Sequence, residues 1–227
     1  MWLVKNIVFA IISIMTAILT LILKPINFKG KPINLLMKVW CNSTLFIYGV
    51  KVNVIGKENI TDSSGKVYIS NHASYLDIFV LLAKIPDNVR IIYKKELNKI
   101  PLIGWAMLAA EFVPINRENI REAMKALDKA AQKIKKGISF VIFPEGTRST
   151  DGNTGEFKRG MFILTEKAEA QIIPVSLSNT FNLLSNNSLR VKPGNVNLVI
   201  GKPLQSKRDK TFLDEIRNIV IENIKPV

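Results

Sequence analysis

The sequence predicts an α/β fold, a largely parallel central sheet flanked by helices, with an N-terminal hydrophobic hairpin of two helices in front of it. Three observations predict this. Short apolar runs without alternation, VYIS at 67–70 and ISFVIF at 138–143, read as strands buried on both faces. Between such runs lie segments with apolar residues at helical spacing, and strands alternating with helices are the pattern of a parallel sheet. Ahead of them stands the most apolar stretch of the chain, IVFAIISIMTAILTLIL at 7–23.

As a helix, 7–23 extends about 25 Å, short for a hydrocarbon core of ~30 Å. Asn6, Ser13, Thr16 and Thr20 fall near one face, so this helix is expected to pack a partner. The candidate partner is 33–50, where Asn34, Lys38, Cys41 and Asn42 make a polar stripe at helical spacing. Pro25 and Gly30-Lys31-Pro32 break the chain between the two. No small-residue cleavage site follows the first helix, so it is read as retained. The first 57 residues hold seven lysines (Lys5, Lys24, Lys29, Lys31, Lys38, Lys51 and Lys57) and no acid. Basic flanks around apolar helices suit a hairpin that dips into one leaflet with lysines at the headgroups, the plainer alternative being two ordinary core helices. The expected division is a membrane-associating hairpin over 1–49 and an α/β domain over 50–227.

Alternating VKVNVI at 50–55 reads as a strand, and Ser63-Ser64-Gly65 as a turn before the buried strand 67–70. A helix over 78–83, a strand over 89–93, a short helix over 103–110 and a strand over 112–115 follow. The clearest helix is 119–136, with Ile120, Met124, Leu127, Ala131 and Ile134 along one face. After the strand 138–143 comes a loop rich in Gly, Thr and Ser, then a helix over 160–168 and a strand over 172–176, IIPVS, whose Pro174 favours a sheet edge or an irregularity. A strand over 196–200 and a helix over 210–224 close the chain.

The net charge of +14 calls for nucleic acid, an anionic membrane surface or a phosphorylated small substrate. Lysines flanking apolar segments favour lipid over nucleic acid, where arginines and polar side chains aimed at bases and phosphates are expected. A single cysteine, Cys41, excludes an intramolecular disulfide framework and a cysteine-built zinc site. With a single histidine, His72, a His-rich metal cluster is excluded too, so chemistry falls to carboxylates, Ser, Lys, Arg or that one imidazole. Walker and G-x-G-x-x-G loops are absent, and Ser74 lacks a G-x-S-x-G elbow.

Three loops stand just after buried strands: NHASYLD at 71–77, VPINR at 113–117 and FPEGTRST at 143–150. Ligands of α/β sheets bind beyond the carboxyl ends of the strands, so all three loops are candidates for one crevice. His72 and Asp77 are five apart, and a turn between them lets the carboxylate accept from one ring nitrogen and leave the other as a base. Glu145, Gly146, Thr147 and Arg148 join a carboxylate, a flexible glycine and a guanidinium able to grip phosphate, and Arg117 and Lys94 add cations at strand ends.

Asn71-His72-x4-Asp77, a strand ending at Arg117, Phe143-Pro144-Glu145-Gly146-Thr147-Arg148-Ser149 and Ile173-Pro174-Val175, in this order, resemble the glycerolipid acyltransferases, most nearly the bacterial lysophosphatidate-using members. The resemblance runs from about Val50 to Ile200 and includes the N-terminal hairpin. It implies acyl transfer from acyl-CoA or acyl-carrier protein to the free hydroxyl of lysophosphatidate, giving phosphatidic acid for phospholipid biosynthesis. His72 would be the general base, oriented by Asp77, with no acyl-enzyme. Glu145, Gly146, Thr147 and Arg148 would bind the glycerol phosphate, with Arg117, Lys94 and, more weakly, Lys158 adding phosphate contacts. Pro174 would have a structural role. Members often carry Gly and Asp where this chain has Glu111 and Asn116. No metal or cofactor beyond the acyl donor is implied, and the expected place is the cytoplasmic face of the cell membrane. Lys133, Lys135, Lys136, Lys202, Lys207, Arg208 and Lys210 would receive a carrier protein or simply be solvated. The same residues are compatible with a different lysolipid acceptor, or with a non-catalytic basic protein of the membrane surface.

Overall fold

In a computed structural model, residues 2–27, 30–60, 64–186, 188–205 and 211–226 are described. Helices α1 (Trp2–Leu23) and α2 (Lys31–Tyr48) come first, then β1 (Val50–Ile55), β2 (Val67–Ser70), α3 (Leu76–Lys84) and β3 (Val89–Lys94). Next come α4 (Ile103–Ala109), β4 (Val113–Ile115), α5 (Ile120–Lys135) and β5 (Ser139–Ile142). The chain closes with α6 (Gly160–Ala168), β6 (Ile172–Leu177), α7 (Thr180–Leu183), β7 (Gly194–Ile200) and α8 (Thr211–Glu222). Every strand and helix expected from the sequence is present; the four-residue α7 and the short 3-10 turns Lys24–Ile26, Lys57–Asn59 and Lys95–Lys99 were not foreseen. Lys29, Ser63, Lys207, Arg208 and Lys210 lie outside the described residues.

The strands form one sheet in the order β1-β7-β6-β2-β5-β3-β4. All neighbours are parallel except β6 and β7, which run antiparallel. The interior strands are covered on both faces, which explains their unbroken apolar runs. Val67 and Ile69 of β2 and Phe140 and Ile142 of β5 point into a core shared with α5, α6 and α8. Tyr68 and Val141, one residue out of phase, point into the opposite core with α2 and α3.

Pro174 corrects one expectation. Its strand β6 is interior, not an edge, lying between β7 and β2. The irregularity is real: Gly201 donates to the Pro174 carbonyl at 2.8 Å, and the ladder to β7 begins only at Val175. Ile172 pairs beyond the gap with Leu204. The missing N–H of Pro174 faces the side of its own carbonyl, where the ladder is interrupted and needs no donor.

The hairpin forms but is not a separate unit. Ile33, Met37, Cys41, Leu45 and Tyr48 line the inner face of α2 and belong to the same core as Val80, Leu81 and Val175. The polar stripe faces the domain: Lys84 Nζ donates to Asn42 Oδ1 at 2.6 Å, and Arg90 Nη1 to Asn34 Oδ1 at 3.3 Å. Packing therefore sets no boundary at residue 49. α1 is the outer helix. Asn6 accepts from the Tyr48 hydroxyl at 2.8 Å, Ser13 from Trp40 Nε1 at 3.0 Å, and Thr20 is buried, which is the partnered polar face that the sequence predicts.

Arg90 holds the connector between the two helices. Wholly buried at the start of β3, it donates through Nη2 to the Gly30 carbonyl at 3.0 Å and through Nη1 to Asn88 and Val89. Burial lowers its pKa to about 10, opposed by the nearby Glu111 carboxylate. The connector thus lies at the end of the sheet opposite the strand carboxyl ends.

Candidate active site

The end of β2 delivers His72 to the carboxyl edge of the sheet, and the first turn of α3 returns Asp77 beneath it. Asp77 is wholly buried, and its Oδ2 accepts from the Ala73 and Ser74 backbone N–H groups and meets His72 Nδ1, each at 2.8 Å. A carboxylate already taking two amide donors makes Nδ1 the protonated nitrogen, which leaves the Nε2 lone pair outward. Nε2 has no hydrogen-bond partner among the described residues. Phe143 stacks on the imidazole at 3.9 Å between centroids and 16° between planes, fixing the ring from its face. Ser74 is committed elsewhere: its hydroxyl donates to the Leu184 carbonyl at 2.7 Å and accepts from Leu76 N at 3.1 Å. The Asn71 side chain ties the end of β2 to β6, with bonds of 2.9 Å to the carbonyl and N–H of Leu177.

The loop after β5 packs against this pair. Glu145 is buried, and its oxygens accept from His72 N at 2.7 Å and Gly155 N at 3.0 Å. Burial raises its pKa, while the two backbone donors and the nearby imidazole pull it down. Both oxygens being engaged by the backbone, Glu145 braces the histidine loop instead of reaching toward solvent. Glu145→Gln puts an NH2 opposite one of those N–H groups, and a loss of roughly 1–3 kcal/mol in urea unfolding is expected. An unchanged midpoint would remove the bracing role.

The cations come from three loops. Arg148 lies with Cζ 3.7 Å from the Tyr75 ring centroid and donates to Asn186 Oδ1 at 2.8 Å. Arg117 Nη1 donates to the Gly146 carbonyl, joining the loops after β4 and β5. Gly146 has φ +78, and a Cβ there would stand 3.4 Å from Lys158 Nζ, so Lys158 belongs to this cluster. Thr147 is exposed. Lys94 pairs in register with Ile115 on β4, and its largely exposed side chain meets Glu96 at 3.9 Å. The structure therefore gathers His72, Asp77, Glu145, Gly146, Arg148, Arg117 and Lys158 at one edge, with Lys94 on the periphery.

Other positions have local explanations. Glu111 takes a left-handed φ of 66, which favours glycine, and its carboxylate meets Lys133 at 3.0 Å and Arg90 at 3.9 Å. Asn116 accepts from Glu118 N at 3.1 Å and donates to Glu122 at 3.2 Å, shaping the entry to α5. Lys135 pairs with Glu169 at 2.9 Å, so two of the lysines considered for a carrier already have acidic partners. The sequence reading assigned no role to Phe143, Tyr75 or Asn186. The first two sit inside the quoted motifs, whereas Asn186 lies 38 residues from Arg148 and carries no sequence signal.

The comparisons agree with this architecture. The acyltransferase family model matches residues 51–178. The chain is 33% identical over 199 residues to a chloroplastic 1-acyl-sn-glycerol-3-phosphate acyltransferase of Arabidopsis thaliana, covering 87% of this chain and 55% of that protein. It is 32% identical over 153 residues to the 1-acyl-sn-glycerol-3-phosphate acyltransferase of Borreliella burgdorferi, covering 67% of this chain and 61% of that protein. The chain thus spans little more than half the length of these curated relatives. The crystal structure of the 1-acyl-sn-glycerophosphate acyltransferase PlsC from Thermotoga maritima superposes with a TM-score of 0.82 at 24% identity, covering 98% of this chain and 95% of that one, a likeness of fold. The family model spans the histidine loop, the strand before Arg117 and the loop of Glu145 and Arg148 in one continuous match, and the chain belongs to the acyltransferase family.

Proposed function

We propose that this protein moves a fatty acyl group from a thioester donor, acyl-CoA or acyl-carrier protein, to the free sn-2 hydroxyl of 1-acyl-glycerol-3-phosphate, giving phosphatidic acid. The observation that carries the reading is the His72–Asp77 pair, with Nε2 left without a partner among the described residues and the loop of Arg148 tied to it through Ser149 N, which donates to the His72 carbonyl at 2.8 Å. Nε2 takes the hydroxyl proton as the oxygen attacks the thioester carbonyl. The tetrahedral intermediate then expels the thiolate, which recovers that proton from the imidazolium. The bound alcohol is itself the nucleophile, so no acyl-enzyme forms. Asp77 stabilises the transient imidazolium, and Glu145 positions the backbone of His72. The relatives named above act on the same acceptor by their printed names, and the basic edge of the sheet suits a phosphate monoester.

Arg148 is the residue proposed to grip that phosphate, with Arg117 and Lys158 close to Gly146. A charge-assisted bond is worth about 1.5–3 kcal/mol, so Arg148→Ala should raise the KM for lysophosphatidate roughly 10- to 100-fold and leave the donor KM nearly unchanged. Steady-state kinetics in which only the donor KM rises would refute the assignment. Turnover with lysophosphatidate against lysolipids of other headgroups, using each donor in turn, tests the substrate reading itself.

The reaction is proposed to take place at the cytoplasmic membrane surface. Trp2–Ile26 is a stretch long and apolar enough to cross a membrane, with mean hydropathy 2.5. Its outer face exposes Ile7, Ile11, Ile14, Ile18 and Ile22, and exposed Trp105 and Leu108 on the neighbouring α4 extend that surface. Since α1 lies along the domain with its first turn near the catalytic edge, immersion of this face in one leaflet brings acceptor and site to the same level.

A further inference from the structure

We propose that the loop between β6 and β7 carries a separate site for the phosphate of an anionic bilayer lipid, distinct from the acceptor site at Arg148. A cavity of about 210 Å³ opens there, lined by Asn182, Ser185, Ser188, Arg190 and Lys192. Its volume is below the roughly 300–1,000 Å³ that encloses a whole small ligand, which suits a headgroup more than a free nucleotide. The chain has no acidic residue between Glu169 and Asp209, so neither cation meets a carboxylate of its own loop. No ion pair is formed by Arg190 or Lys192 among the described residues.

The site is built and not merely open. Lys192 N donates to the Leu183 carbonyl at 2.8 Å, closing the loop at its base. Arg190 N donates to Ser188 Oγ at 3.0 Å, fixing the turn that carries the guanidinium. Between them the 80% exposed Leu189 offers its carbonyl to Trp2 Nε1 at 3.4 Å. That contact sets the pocket beside the first turn of α1, where Leu3 and Val4 are also exposed. Two cations on a loop that meets α1 through Leu189 and Trp2, with Trp2, Leu3, Val4 and Leu189 all exposed, match a phosphate whose other end is hydrocarbon.

The same loop touches the catalytic edge. Leu184 accepts from Ser74, and Asn186 accepts from Arg148 and donates to the Ser149 carbonyl. A headgroup held at Arg190 and Lys192 therefore steadies the segment on which Arg148 rests. The proposal concerns binding, so its test does not depend on the acyl-transfer reading.

The test mixes the purified full chain with two distinguishable vesicle populations, phosphatidylcholine alone and phosphatidylcholine with one third phosphatidylglycerol, and measures the distribution between them. The wild type should favour the anionic vesicles, and Arg190→Gln with Lys192→Gln should reduce that preference roughly tenfold or more. A control, Lys129→Gln with Lys136→Gln at exposed positions on α5 and just past its end, removes the same charge from another surface and should change it little. Equal losses in the two pairs would reduce the effect to net charge and overturn the proposal. Millimolar inorganic phosphate that abolishes the wild-type preference at constant ionic strength would make this a free-anion site and overturn it as well.

Discussion

His72→Ala is expected to lower acyl transfer by about 10²–10⁴-fold while leaving the thermal midpoint close to that of the wild type. The chain has no second histidine to take over. Ser70 and Ser74 are the nearest hydroxyls in sequence: Ser70 donates to the Asn71 carbonyl, and both the donor and acceptor roles of Ser74 are occupied within the fold. The histidine ring is held from outside by Asp77 and Phe143, so removing it leaves the Ala73 and Ser74 amides still bonded to Asp77. Asp77→Asn should be as damaging to turnover and more damaging to stability. A neutral amide accepts less strongly than a carboxylate from three donors and presents an NH2 that the loop has no acceptor for, at a wholly buried position. The two variants are therefore separated by unfolding measurements: His72→Ala stays near the wild type, and Asp77→Asn melts lower. Near-normal turnover by folded His72→Ala would end the general-base mechanism.

Much of this site was legible in the sequence because parallel sheets put function in one place. Once 67–70 and 138–143 read as buried strands, the loops that follow them had to emerge at the same edge, and β2 and β5 are indeed neighbours. His72 and Asp77 needed only a turn to meet. Arg117 was harder, since β4 is the outermost strand, yet its side chain reaches Gly146. Less legible were roles decided by backbone geometry. A glutamate beside an arginine reads as a ligand pair, and no pattern reveals that the two Glu145 oxygens are taken by amides 73 and 10 residues away. Pro174 left two readings open, an edge or an irregularity, and the second holds: an interior strand tolerates the missing donor where the antiparallel partner has already turned away. Glu111 lies at a glycine-like φ with its carboxylate against Lys133 and Arg90, and those contacts are long-range facts.

The hairpin separates a hydrophobic pattern from the use made of it. Residues 7–23 are the more apolar of the two segments and yet present an exposed face, whereas 33–50, with its polar stripe, supplies an inner face to the core. A deletion of residues 1–49 is therefore expected to abolish cooperative folding, not simply to release the protein from membranes. Ile33 and Cys41 are fully buried, and Met37, Leu45 and Tyr48 nearly so. Burial of a large apolar side chain is worth about 1.5–3 kcal/mol, so Ile33, Met37 and Leu45 alone amount to roughly 5–9 kcal/mol, comparable with the whole stability of a typical domain. Loss of Asn34 and Gly30 would also leave the buried Arg90 guanidinium short of two acceptors. Polar substitution of the outer face of α1, as Ile11→Asn, Ile14→Asn and Ile18→Asn together, should do the reverse. Each of these side chains is about half exposed, so vesicle binding falls while the circular dichroism spectrum and the unfolding transition are kept. A cooperatively unfolding fragment of residues 50–227 would show that α2 is an appendage after all, because a domain stripped of that covering helix would expose Val80 and Leu81 of α3 and Val175 of β6, which share a core with α2.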